Sequence, residues 1–262
     1  MKKKVIFTTL VAFLLLFLVV LAGLNAVYTV TNVHANFCTF SAEGEAEARK
    51  LQEKLDSFVD QSSVFLDLDD VQAAVEEYPC FRLESAEKRY PDKLELKIVE
   101  RKEAFSYLLE NGKYAVLDER GDYLYEKDSN QNRISGENIL LLGDFKYENG
   151  EKGDYFGDLV TIFSALRDVL TEVRANVISF ELELNGAPTT TKIDYINIRM
   201  REGAVIKIED PHVRANEKAR LAIECYAGTG AYEGKGLTDV QRVTEVITVF
   251  EREGSLLLSP QL

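Results

Sequence analysis

The chain begins with an apolar run that carries no charge. Three lysines precede it, and residues 5–24 contain no charged side chain. A helix needs roughly 20 apolar residues to cross a bilayer core, and the positive flank lies only on the N-terminal side. The pattern therefore predicts a transmembrane helix over residues 5–26, with residues 1–4 in the cytoplasm and the rest of the chain outside. A cleaved secretory signal is the alternative, because small residues near the end of the run could form a cleavage site.

Residues 27–101 have the pattern of a small α+β domain. A β-branched and aromatic run predicts a first strand. Apolar residues at helical spacing then predict two helices, the first capped by Ser41 and the second by Asp69. Strand patterns follow over residues 81–89 and 94–99. The predicted order of elements is β-α-α-β-β.

Residues 102–252 are dominated by strand patterns separated by turn dipeptides, such as the Asn-Gly pair at 111–112. An amphipathic helix is predicted among these strands, over residues 159–173. Residues 240–250 are ambiguous, because their β-branched content favours a strand and their three-and-four spacing favours a helix. We prefer the strand, and we expect residues 253–262 to be a C-terminal tail.

Composition limits the partners. The 262 residues include 31 Lys and Arg and 44 Asp and Glu, which gives a net charge of −13. Such a surface repels nucleic acid and anionic headgroups, so a polyanionic partner is not expected. The three cysteines, Cys38, Cys80 and Cys225, allow at most one disulfide, and free buried thiols are the preferred expectation.

Residue types that carry chemistry do not fall into a recognised catalytic or metal-binding pattern. The histidines, His34 and His212, have no second ligand at a useful spacing, and we expect both at the surface. Residues 128–139 begin like a calcium loop, but Arg133 occupies the position that requires glycine. Residues 228–236 have glycines at the wrong spacing for a phosphate loop. We therefore predict no catalytic residue, no metal and no cofactor.

The order of motifs resembles the FtsQ/DivIB family of bacterial cell-division proteins. The similarity is strongest over residues 64–124. The residues beyond them resemble the family's β-domain only in their general pattern of predicted strands. The matching pieces, in chain order, are Phe65, Leu66 and Asp67 before a helix, Pro79 after it, residues 86–91 (Ala-Glu-Lys-Arg-Tyr-Pro), residues 94–101 (Leu-Glu-Leu-Lys-Ile-Val-Glu-Arg), Ala104, Leu117, Asp118 and Gly121.

This resemblance implies an α+β architecture: a transmembrane helix, a POTRA domain over residues 27–101 and a mostly β domain over residues 102–252. It implies a non-catalytic protein of the cytoplasmic membrane, at the division septum. Such a protein would bind divisome membrane proteins of the FtsL and DivIC/FtsB type and help control septum formation. In the family, late strands of the β-domain take up these partners. The implied partner-binding residues are Val243, Val246, Thr248 and Phe250, together with Glu100 and Arg101, which match a family motif.

Two other functions compete with this interpretation. A POTRA-type chaperone or transport component at the membrane would share the small α+β domain. A secreted enzyme with an unrecognised carboxylate site is the other alternative, because abundant acidic residues make pairs of carboxylates inevitable.

Overall fold

A computed structural model describes residues 2–148, 150–185 and 193–259. Contacts divide the chain into two compact units, with the division between Arg101 and Lys102. The first unit is α+β with a three-stranded sheet, and the second is α+β with a nine-stranded sheet.

The first helix, α1, spans Lys2–Val27. Among the described residues, no helix combines the length and apolarity needed to cross a membrane. The predicted transmembrane helix over residues 5–26, and the predicted single-pass location in the cytoplasmic membrane, are therefore wrong for this part of the chain. Within that prediction, the side chains of residues 5–9, 21 and 24–26 lie outside the description.

The rest of the first unit follows the order β-α-α-β-β. Its sheet has the order β1-β3-β2, with β1 parallel to β3 and β2 antiparallel to it. Leu94, Leu96 and Ile98 alternate along β3, so all three point into one core against the helices. The elements are β1 Asn32–Cys38, α2 Ala42–Leu55, α3 Leu68–Glu76, β2 Phe81–Arg89 and β3 Lys93–Glu100, and a 3₁₀ turn, Asp56–Phe58, follows α2.

Both helices of this unit begin at a polar cap. The hydroxyl of Ser41 accepts a hydrogen bond of 2.8 Å from the amide of Gly44, as predicted. The second cap is Asp67, whose carboxylate accepts from the amide of Asp69 at 3.0 Å. The prediction of Asp69 as the cap is wrong, because Asp69 already lies in the first turn of α3.

The second unit is built on a nine-stranded mixed sheet with the order β14-β13-β12-β11-β10-β7-β4-β5-β6. Strands β8 and β9 form a separate hairpin. The strands are β4 Glu103–Leu108, β5 Tyr114–Asp118, β6 Tyr123–Lys127, β7 Ile139–Gly143, β8 Tyr147–Glu148, β9 Glu151–Lys152, β10 Val177–Glu183, β11 Tyr195–Met200, β12 Val205–Glu209, β13 Val246–Arg252 and β14 Ser255–Ser259; the helices are α4 Phe156–Val169, α5 Val173–Asn176, α6 Ala215–Ala227 and α7 Asp239–Thr244.

Helices α4 and α6 pack against each other and join one core with the sheet. The ring of Phe163 on α4 makes an edge contact with the ring of Phe105 on β4, with centroids 5.0 Å apart. The central strands contribute side chains in the period-two pattern of half-buried strands. The buried members of this pattern include Phe180 and Leu182 of β10, Ile196 and Ile198 of β11, and Ile206 and Ile208 of β12.

The ambiguous segment 240–250 contains both a helix and a strand. Thr238 and Gln241 form a capping box that starts α7, and β13 begins two residues after that helix ends. Ile247 and Val249 are buried, and they alternate with more exposed residues along β13. The preferred strand is therefore right only for its second half, because the capping box starts a helix that continues to Thr244.

The final described strand, β14, lies within the predicted C-terminal tail. A two-residue loop, Glu253 and Gly254, joins it to β13, and both loop residues have positive φ angles of 54° and 77°. That conformation matches the twist of the flanking strands and favours glycine at its second position. The tail prediction therefore missed a hairpin; residues 260–262 lie outside the description.

Candidate partner-binding site

The implied late-strand residues lie close together, but on an interior strand. Val246, Thr248 and Phe250 alternate along β13, and Val243 is an exposed residue of α7. Strand β13 pairs on one side with β12 and on the other with β14, so Thr248 lies between Lys207 and Ser259. Val246, Thr248 and Phe250 therefore present side chains on one face of the sheet rather than free backbone groups at its edge.

Glu100 has a structural role in the first unit. It is buried, and its carboxylate accepts hydrogen bonds from the amides of Phe40 (2.7 Å) and Ser41 (3.1 Å), beside the start of α2. A negative charge at a helix N-terminus is favourable, and charge-assisted bonds of this kind are strong. Gly44 gives the carboxylate its space, since a Cβ there would lie 2.3 Å from it.

Arg101 is half-buried and linked to the loop before β2. Its guanidinium donates to the carbonyl of Pro79 at 2.8 Å, and its amide donates to the carbonyl of Cys80 at 2.7 Å. The structure thus places Glu100 and Arg101 in a different unit from the residues of β13. Both residues of this family motif therefore have structural contacts here: Glu100 holds the start of α2, and Arg101 holds the loop before β2.

The open edge of the large sheet is provided by β14. Within the described residues, β14 pairs with β13 alone and ends the strand order. Leu258 is buried, whereas Leu257 is exposed and Leu256 is half-buried. The sequence analysis missed this edge, because Glu253 and Gly254 are not one of the dipeptides that typically signal a two-residue hairpin.

The opposite edge, β6, has a different character. Its Lys127 ammonium lies 3.2 Å from both carboxylate oxygens of the buried Glu103, and the hydroxyl of Tyr125 also bonds to Glu103. Charged side chains on an edge strand discourage pairing with another chain. The residues of β14, Ser-Leu-Leu-Leu-Ser, include no charge.

The histidines were predicted at the surface, and both are exposed. The Nδ1 atom of His212 lies 2.6 Å from the carboxylate of Asp158, and its ring stacks on Tyr155 with centroids 4.3 Å apart. Burial raises the pKa of Asp158, while His212 opposes that rise. The Tyr155 hydroxyl bonds to Asp194, and burial raises the pKa of this tyrosine. These contacts join α4 to the segment before α6.

A groove of about 700 Å³ lies in the second unit between β4, the loop before β7 and α5. Three arginines line it, and each is engaged: Arg167 with the carboxylate of Glu119, Arg174 with the carbonyl of Ser135, and Arg201 with the carbonyl of Arg174.

Across the described chain, no three His, Cys, Asp or Glu side chains form a group suited to a metal ion. The cysteines are free thiols in the structure, and two of them, Cys80 and Cys225, are buried.

No protein-family model matches this chain, and a search of the curated proteins finds no match. The motifs quoted from residues 64–124 therefore remain the basis for any family proposal.

Proposed function

We propose that this chain is a non-catalytic cell-division protein similar to the FtsQ/DivIB family, which binds divisome proteins of the FtsL and DivIC/FtsB type and helps control septum formation. Two features support the proposal. The first is the order of family motifs along residues 64–124. The second, which carries the mechanism, is the open edge of β14 at the end of the large sheet.

An open strand edge binds an extended segment by adding it as a further strand. Backbone amides and carbonyls supply the affinity, and alternate side chains supply the specificity. On β14, the exposed Leu257 and half-buried Leu256 offer apolar contacts to such a segment. Because β14 has no charged residue to discourage pairing, it is better suited to this role than β6.

The test is a pair of proline variants, Leu256→Pro and Leu257→Pro. Adjacent residues of a strand direct their amides to opposite sides, so one of the two amides faces β13 and the other faces the open edge. Proline removes the donor and fixes φ. We expect one variant to lose stability and the other to stay folded by circular dichroism but lose its partner.

Binding is measured by pull-down of purified FtsL- and DivIC/FtsB-type proteins, and function by cell length after replacement of the wild-type gene. The folded proline variant should bind at least about 10-fold more weakly, and its cells should form filaments. Thr248→Pro serves as the comparison, because β13 is paired on both sides and this variant should unfold the unit. Val240→Asp introduces a charge at an exposed position of α7 and should leave binding intact. A folded proline variant that still binds would overturn the edge mechanism.

A further inference from the structure

A second groove, which we call the tyrosine groove, lies at the other end of the large sheet. It encloses about 680 Å³ between β4, β6 and the β8–β9 hairpin. Tyr107, Tyr123 and Tyr147 line it, together with Leu108, Glu126 and Glu148. All of these residues belong to the second unit, and the groove is separate from the edge of β14 in the strand order.

The three tyrosines form a continuous aromatic wall. The Tyr147 ring lies 6.1 Å from Tyr107 and 6.4 Å from Tyr123, and it is nearly parallel to Tyr123, with 19° between the ring planes. The ring of Phe156 on α4 also packs against Tyr147, with centroids 6.0 Å apart. Tyr123 is 40% exposed and Leu108 is 53% exposed, so the groove offers apolar surface to a ligand.

Tyr147 has an unused hydrogen-bonding group. The residue is only 6% exposed, and among the described residues its hydroxyl has no hydrogen-bond partner. Burial raises the pKa of Tyr147 to about 12, so the hydroxyl keeps its proton and can donate. A buried hydroxyl without a partner is unfavourable, and a carbonyl from a ligand would satisfy it.

The rim of the groove is acidic. Glu110, Glu126 and Glu148 are all exposed, and Lys146 is the one cation among the described lining residues. The side-chain amide of Asn111, another lining residue, donates to the Glu126 carboxylate at 3.5 Å. The charge of the rim therefore favours a cationic ligand.

We propose that the tyrosine groove binds an extended, proline-rich peptide segment that carries basic residues. Such a segment adopts a polyproline II helix without internal hydrogen bonds, so its carbonyls are free to accept from Tyr147. Proline rings pack well in aromatic-lined grooves, and little conformational entropy is lost because the helix is already formed. Arginines of the segment pair with the glutamates of the rim and lie against the tyrosine faces. A neutral glycan would stack on the rings but gain nothing from the acidic rim.

The test uses the full chain and three probes in isothermal titration calorimetry: the peptide acetyl-Pro-Pro-Arg-Pro-Pro-Arg-Pro-Pro-amide, the same peptide with glutamate in place of arginine, and a chitin oligosaccharide. We expect the arginine peptide to bind at least about 10-fold more tightly than the glutamate peptide, with an affinity that falls as salt is added. Tighter binding of the oligosaccharide would overturn the proposal in favour of a carbohydrate site. Failure of the arginine peptide to bind would overturn it outright.

Two conservative variants locate the binding site. Tyr147→Phe removes only the hydroxyl and should weaken binding by about 2- to 10-fold without lowering the melting temperature, because that hydroxyl has no partner among the residues that the structure describes. Glu126→Gln should reduce both the affinity and its salt dependence. Tyr114→Phe and Glu137→Gln change the same residue types outside the groove and should leave binding unchanged. Equal affinities for Tyr147→Phe and Tyr114→Phe would place any bound peptide elsewhere.

Discussion

At the scale of single residues, Glu103 is the centre of a buried polar network. Its carboxylate lies 3.2 Å from the ammonium of Lys127 and 3.6 Å from Nε of Arg133, and it accepts from the amide of Arg133 at 3.0 Å and from the side chain of Asn138 at 3.3 Å. One buried carboxylate thus holds the loop between β6 and β7 in place.

Glu103→Gln should destabilise the second unit by about 3–5 kcal/mol, because two nearby cations lose their buried counter-charge. The measurement is the free energy of unfolding in urea. Glu119→Gln is the matched control: its ion pair with Arg167 is exposed, so its loss should stay below about 1 kcal/mol. Similar losses for both variants would show that the network contributes no more than a surface pair.

Lys218 is a buried cation, and it gives the stability a pH dependence. Its ammonium donates to the carbonyls of Glu209 and Asp210 at 2.7 and 2.9 Å. Burial lowers its pKa from 10.5, while Asp210, Glu251 and Glu209 oppose the shift and Arg214 adds to it. Between the folded pKa and 10.5 the unfolded chain binds more protons, so the free energy of unfolding rises with pH in that window.

Lys218→Met removes this contribution. As the pH rises toward 10.5, the wild-type protein should therefore gain stability relative to the variant. Urea unfolding at several pH values measures the difference between the two proteins. Parallel curves would contradict a lowered pKa at Lys218.

At the scale of elements, local signals predict what is decided locally. The cap at Ser41 and the alternation of β3 are encoded within a few residues, and both predictions are confirmed. The position of β13 inside the sheet depends on pairing with β12, some forty residues earlier in the chain. Periodicity carries no information about such pairing. On its other side β13 pairs with β14 through a local hairpin, which the sequence analysis missed by taking residues 253–262 as a tail.

Ile98 tests the predicted register of β3. Ile98→Asp should unfold the first unit, because the side chain is fully buried and an unpaired carboxylate there costs several kcal/mol. Its neighbour Lys97 points to solvent and pairs with Glu84 on the surface, so Lys97→Gln should change the stability by less than about 1 kcal/mol. Thermal melting followed by circular dichroism compares the two variants. An unchanged melting profile for Ile98→Asp would refute the register.

At the scale of the whole molecule, the candidate site was less predictable than the fold. Val243, Val246, Thr248 and Phe250 were chosen through a family resemblance, and the structure groups them on β13 and α7. The tyrosine groove was not anticipated, because Tyr107, Tyr123 and Tyr147 are separated along the chain and meet only when the hairpin folds over the sheet. Burial of a hydroxyl without a partner is likewise a tertiary property with no sequence signal.

Each unit contains its own buried core, so the second unit should fold without the first. A fragment of residues 102–262 begins just before β4 and keeps every strand of the nine-stranded sheet. We expect it to unfold cooperatively in urea with a free energy of about 5–15 kcal/mol, as is usual for a domain of this size. A fragment of residues 110–262 lacks β4, which lies between β7 and β5, and it should not fold because both neighbours lose their hydrogen-bonded partner. If both fragments fold equally well, β4 is dispensable, and its pairing with β5 and β7 does not stabilise the unit. If neither folds, the second core is not sufficient on its own.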